Sequence, residues 1–261
     1  MGFPVYTPPS IPRFPELTDI LPQATYAIEV SKFTLAWRFN TAAVTMCQTL
    51  GYHRRTSAAA AAADPAFDLK AALFWFAYSN DKCFSIRFGR SSMIQDNDIT
   101  IPRRLGDTIH LPDPAWSTIF HQWITHAEFV GKAYEQLYSP TALTHTPERR
   151  AENARRLIRT LDGMSQNMRV EREAAGILTP PTPPSSESRP SPYSIALSIV
   201  SDDVMFYSAR TLIYRAIPNE RGSNGSLYAE CIEAARKAFA CHHDCMRPVA
   251  NDLARAGYIH W

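Results

Sequence analysis

Residues 68–89 read DLKAALFWFAYSNDKCFSIRFG. Leu69, Ala72, Leu73, Phe76, Cys83, Phe84 and Phe88 recur at helical spacing, and Phe74, Trp75, Tyr78 and Ile86 widen that face around the axis. A helix apolar on most of its sides belongs at the centre of a fold. Its ends are marked as well. Asp64-Pro65 supplies an N-cap followed by proline in the first turn, and Gly89 supplies a C-cap.

The same grammar repeats outward. Asp113-Pro114 opens a helix carrying Trp116, Ile119, Phe120, Trp123, Val130, Tyr134 and Leu137, and Pro140 closes it. Thr146-Pro147 opens another, striped by Leu157, Ile158, Leu161, Met164 and Met168. Two amphipathic segments follow, at about 193–217 and about 227–246. Upstream, residues 23–51 predict one long helix stopped at Gly51. The six alanines of 58–63 favour helix but carry no amphipathic pattern, so a helical spacer and a disordered insertion both stay open. The expected fold class is all-α, with six or seven helices and no strand. Periodicity vanishes between Arg90 and Pro114, which predicts a loop of about 24 residues after the central helix, a length often tied to function.

Residues 1–22 hold six of the 20 prolines and predict an extended arm. Residues 23–261 predict one helical domain, interrupted at about 176–192 by a disordered linker rich in proline and serine. The 261 residues are 45% hydrophobic and 20% charged, a globular balance. The net charge of +2 lacks the basic excess of a dedicated nucleic-acid binder. No run approaches 18 uncharged apolar residues, so no membrane-spanning helix is expected, and residues 1–6 lack a signal-peptide pattern. Five cysteines are too few and too scattered for a disulfide framework, which favours a reducing, intracellular setting.

The candidates for chemistry are weak. Cys241 and Cys245 lie four apart on one helix and could share a metal, but a complete four-ligand pattern is missing, and both continue the stripe of Cys231 and Ala238. Cys47 and Cys83 sit in apolar helices and read as core. No nucleophile elbow, phosphate loop, dinucleotide fingerprint or paired-histidine zinc motif occurs. Asp96 and Asp98, in the long loop, match a cation or acid–base pair only loosely, and turn capping is their commoner work. Arg149, Arg150, Arg155, Arg156 and Arg159 could meet phosphates, yet no aromatics interleave with them, and a solvated helix face is the simpler reading.

The central helix and its loop together form a longer signature. Trp75, Tyr78, Asp81 and Lys82 close an apolar-aromatic run; Ser85, Arg87, Gly89 and Arg90 form a turn; Gln95, Asp96, Asp98 and Pro102 complete an Ile-x-Asp-x-Asp-Ile pattern with its proline. Upstream, Trp37, Leu50, Gly51, His53 and Arg54 form a helix end, with Tyr52 in place of the usual leucine. This pattern resembles the fungal-specific transcription factor domain, the middle homology region of zinc-cluster factors. Weaker likeness continues through Leu212, Arg215 and residues 231–236, so the resemblance spans about 23–261.

The resemblance implies a nuclear regulatory domain, not an enzyme, that controls RNA polymerase II transcription through an attached or partner DNA-binding module. It implies no catalytic and no metal residue. The signature residues would be structural and regulatory: Asp96 and Asp98 accept hydrogen bonds from Arg87, Arg90 or backbone amides and so fix the loop. In the family, six cysteines of a separate N-terminal module hold two zinc ions. No Cys-x-x-Cys pair occurs here, so no cofactor is expected in this chain and DNA is expected only indirectly. Trp261 falls where the family's helical domain usually continues, so C-terminal truncation is expected. Implied partners are other transcription factor chains or co-regulators and a small-molecule effector between helices, with no membrane. Two alternatives stay open: a stand-alone helical partner of a full-length factor, and a helical small-molecule-binding protein or enzyme using Asp96, Asp98 or His53.

Overall fold

A computed structural model describes residues 14–55, 64, 66–103, 114–177, 192–217 and 226–246. Most of the expected arm, the alanine run, the second part of the long loop and nearly all of the proline and serine linker lie outside these. Among the described residues the fold is all-α, as the periodicity predicts. The helices are α1 (Phe14–Glu29), α2 (Phe33–Thr49), α3 (Phe67–Phe88), α4 (Pro114–Leu137), α5 (Pro140–Leu143), α6 (Pro147–Ala174), α7 (Pro192–Arg215) and α8 (Ser226–Met246). A single 3-10 turn, Asp96–Asp98, interrupts the segment after α3. None of these helices is long and apolar enough to cross a membrane.

Two upstream expectations need correction. The extended arm was expected to reach residue 22, yet α1 begins at Phe14 and contains Pro22. Leu17, Leu21, Ala24 and Ile28 step by three and four and are all buried, so their packing outweighs the missing proline donor. The single helix expected over 23–51 is two helices. The chain turns at Ser31, whose φ is +57°. Lys32 N–H donates to the Ala27 carbonyl (2.7 Å) and Ser31 N–H to that of Ile28 (2.8 Å), a Schellman-type end without glycine. Downstream, Pro140 does more than end α4. Ser139 Oγ accepts from Ala142 N–H (3.1 Å) and caps the short α5, as Thr146 Oγ1 caps α6 through Arg149 N–H (3.3 Å).

The chain divides into two compact units, residues 1–81 with 93–103 and residues 82–92 with 104–261. In the first, α1 packs on α2. Its buried side chains include Ala36, Val44 and Cys47 of α2, Phe74, Trp75 and Tyr78 of α3, and Ile94 and Ile101 beyond. In the second, α4, α6 and α7 pack on one another and α7 packs on α8. Their core holds Ile86, Phe129, Tyr134, Leu137, Leu157, Leu161, Phe206 and Ile213. Lys82 is 1% exposed there, and its stem lies across Gly131, where an added Cβ would come 2.8 Å from Lys82 Cδ. Gly131 is the clearance that lets a lysine enter the core, since overlap of that kind forces a packed interior to move.

Candidate functional site

The signature residues of α3 form one helical face. Trp75, Tyr78 and Asp81 are spaced three apart, so their polar tips stand in a row along the helix. Each tip holds a successive piece of the segment that follows, in reverse order. Asp81 accepts backbone N–H groups from Met93 (3.0 Å) and Ile94 (3.3 Å). Tyr78 Oη–H donates to Asp96 Oδ1 (2.9 Å), and Trp75 Nε1–H donates to the Pro102 carbonyl (3.0 Å). The three rungs lace residues 93–102 back along the helix, within the first unit.

The upstream motif closes the other side of the same segment. Gly51 adopts φ +73° after Leu50, the half-buried C-cap of α2. That left-handed turn is readily available only to glycine, and it delivers His53 and Arg54. Arg54 pairs with Asp98, and His53 Nε2 lies 3.4 Å from the other oxygen of that carboxylate. Thr100 N–H donates to the His53 carbonyl (3.0 Å), while Thr100 Oγ1 accepts from Arg55 N–H (2.7 Å). Hydrogen bonding from Arg54, with its charge, holds the Asp98 carboxyl below its usual range. Gln95 caps the 3-10 turn, its carbonyl accepting Asp98 N–H (3.1 Å). Trp37 is half-buried on α2.

The remaining signature residues belong to the second unit. Ser85 Oγ–H donates to the Arg90 carbonyl (2.6 Å), and Arg90 N–H donates to that of Ser85 (3.1 Å). Gly89, at φ +64°, makes this closure possible. Arg87 is exposed, and its charge reaches His126. In the described part of the loop, Asp98 is held by Arg54 and His53 and Asp96 accepts from Tyr78. Neither aspartate joins a cation cluster: among the described residues no group of three or more His, Cys, Asp or Glu side chains could hold a metal ion. Cys47, Cys83, Cys231 and Cys241 form no disulfide, and burial pushes the Cys47 thiol up to about 12, which disfavours the thiolate.

Because Asp81 is 5% exposed and accepts two backbone donors, Asp81→Ala should cost about 1.5–3 kcal/mol. Hydrogen exchange should show faster amides at Met93 and Ile94. Unchanged exchange there would remove the lacing role of Asp81.

The second unit holds a polar cluster that sequence reading missed. Arg172 of α6 pairs with Asp202 of α7, at 7% and 3% side-chain exposure. Arg172 Nε–H donates to Gln122 Oε1 (2.6 Å), Gln122 Nε2 donates to the Met168 carbonyl (3.1 Å), and Trp123 Nε1–H donates to Asp202 Oδ1 (3.2 Å). Burial lifts the Asp202 carboxyl to about 6, against the pull of Arg172 and Trp123. A signal did exist. Gln122 falls in line with Ile119 and Val130, Arg172 with Leu161 and Met168, and Asp202 with Phe206 and Ala209. A polar residue on the buried face of each of three helices implies mutual partners.

His126, one turn beyond Gln122, is buried among Phe206 and the Met205 backbone, and burial takes it down to about 4 from 6.5. Between those values the unfolded chain binds more protons than the folded one. Stability from this group is therefore complete above about 6.5 and lost as pH falls towards 4. Asp202 has the opposite sign: its raised folded value makes stability fall as pH rises through about 4 to 6. The stability difference between wild type and His126→Gln isolates the histidine. It should shift by on the order of 3 kcal/mol against the wild type on acidification. A pH-independent difference in urea titrations would rule out a buried neutral imidazole.

The arginines of α6 also resolve. Arg150 donates to the Ala216 carbonyl (3.0 Å), and Arg156 to Gln136 Oε1 (2.9 Å) and Asn153 Oδ1 (3.1 Å). Two of the five therefore tie helices together within the second unit.

No curated protein and no solved structure matches the chain. Residues 19–159 match the fungal specific transcription factor domain. The match begins within α1, ends within α6, and contains both the laced segment and the upstream motif that clamps it; the weaker likenesses at Leu212, Arg215 and 231–236 lie beyond it. With more than half of its length matched, this chain belongs to the fungal specific transcription factor domain family.

Proposed function

We propose that the chain acts in the nucleus as the regulatory region of a fungal transcription factor. It controls transcription by RNA polymerase II through a zinc-cluster DNA-binding module, either attached or carried by a partner chain. The family match over residues 19–159 carries this reading. The geometry supports it. The polar signature side chains are engaged with the chain's own backbone and with one another, which is the arrangement of a scaffold and leaves regulation to surfaces and grooves. The family is not one of enzymes. His53, Asp96 and Asp98, the residues of the catalytic alternative, are engaged in fixing the loop.

The test joins the chain to an unrelated DNA-binding domain in a fungal host. Reporter output should differ from that of the DNA-binding domain alone, and Trp75→Ala should abolish the difference. Equal output with and without the chain, at matched protein levels, would defeat the proposal.

A further inference from the structure

An open groove of about 470 Å³ runs between α4 and α6, entirely within the second unit. Small-molecule sites occupy about 300–1,000 Å³. The helices run antiparallel: Gln122 meets Met168 at one end, and Gln136 meets Arg156 at the other. Phe129 and Met164 give the groove an apolar, adaptable middle, and Met168 extends it towards Gln122.

Two features mark it as a site. The first is Gly163, on the groove wall in the interior of α6. Its φ is not positive, and an added Cβ would meet nothing within 4 Å. Neither backbone nor packing calls for glycine, which is the poorest helix former after proline. What the missing side chain does is leave the groove open.

The second is charge. Lys132 and Glu128 line the groove and pair with each other at 2.6 Å. Arg159 lines it too, one turn before Gly163, and makes no hydrogen bond or ion pair among the described residues. A guanidinium offers two parallel donors to a carboxylate. Glu171 stands three turns further along α6, roughly 18 Å away at 1.5 Å per residue, near Gln122. One end therefore favours an anion, and the other disfavours a second one.

We propose that this groove binds a small monocarboxylic acid with an apolar or aromatic body. The carboxylate sits on Arg159, the body lies over Phe129, Met164 and Met168, and an uncharged end points towards Gln122. Gln122 also accepts from Arg172, so occupancy bears on the Arg172–Asp202 contact with α7.

The site is tested on the full chain by calorimetric titration with 4-phenylbutyrate and octanoate, and with the neutral 4-phenylbutanamide as control. The acids should bind saturably at one site, with the amide at least tenfold weaker. Arg159→Gln should remove that preference. Gly163→Leu should abolish binding without lowering the melting midpoint. The proposal is overturned if neither acid saturates at millimolar concentration, if amide and acid bind equally, or if either variant binds the acids as the wild type does. Binding is read without any reporter, so this result and the regulatory test fail independently.

Discussion

Asp202→Ala is expected to destabilise the second unit by about 3–5 kcal/mol. The carboxylate it removes faces Arg172 in a core where both side chains are under a tenth exposed. A guanidinium cannot shed its charge near neutral pH, so losing Asp202 leaves a buried cation with Gln122 as a hydrogen-bond partner and only the more distant charge of Asp203 to offset it. Trp123 Nε1–H loses its acceptor in the same step. The pair itself is a different matter, because desolvation offsets much of the attraction between two buried charges. The double variant Arg172→Met with Asp202→Leu should therefore recover most of the loss. Urea unfolding at pH 7.5, where the pair is ionised, separates the cases. A single variant costing under about 1 kcal/mol would mean that water or movement reaches Arg172. A double variant as unstable as the single would mean that the pair contributes net stability.

Trp75→Ala should have the second large effect, about 3–5 kcal/mol, on the first unit. The side chain is fully buried and sits edge-on to Phe74 and Tyr78 at 5.3 and 5.1 Å between ring centroids. Phe74 in turn lies tilted against the His53 ring, 5.9 Å between centroids, and His53 touches Asp98. Truncation would remove the rung to Pro102 and leave a cavity beneath the His53–Asp98 contact. Trp75→Phe keeps most of the volume and loses the indole donor, so it should cost only about 1–2 kcal/mol. Native-state hydrogen exchange distinguishes the two: alanine should expose amides on both sides of the lacing, at Ile94 and at Thr100, whereas phenylalanine should affect the region near Pro102. Equal destabilisation by both would assign the effect to the hydrogen bond alone.

The lacing was half legible. That Asp96, Asp98, Tyr78 and Asp81 belong to one signature follows from the resemblance of that stretch to the family's pattern. That Asp98 is held by Arg54 and His53 does not, because 44 residues separate Arg54 from Asp98 and no local rule pairs them. The same gap explains the Gln122–Arg172–Asp202 cluster. Each residue is out of place on its own helix, but the separations of 50 and 30 residues hide which misplaced residue answers which. The groove was legible only as single residues. Gly163 and Arg159 look like ordinary positions on a charged helix until α4 stands opposite.

What the sequence by itself determined is what lies within about four residues of its cause. Capping side chains and first-turn prolines start α5 and α6, Gly51 and Gly89 end α2 and α3, and three-and-four spacing names most of the buried face of α4 and α6, while it also names Leu69 and Phe239, which are exposed. Backbone hydrogen bonds in a helix are local, so local chemistry decides them. Tertiary structure alone decided the break at Ser31 and the helix that takes in Pro22. Both run against local propensity, and both are sustained by the packing of α1 on α2. It also decided the distant partners of Asn40, Gln122, Arg172 and Asp202. Desolvation makes an unpaired charge untenable but does not say where its partner comes from, and only the folded chain brings that partner near.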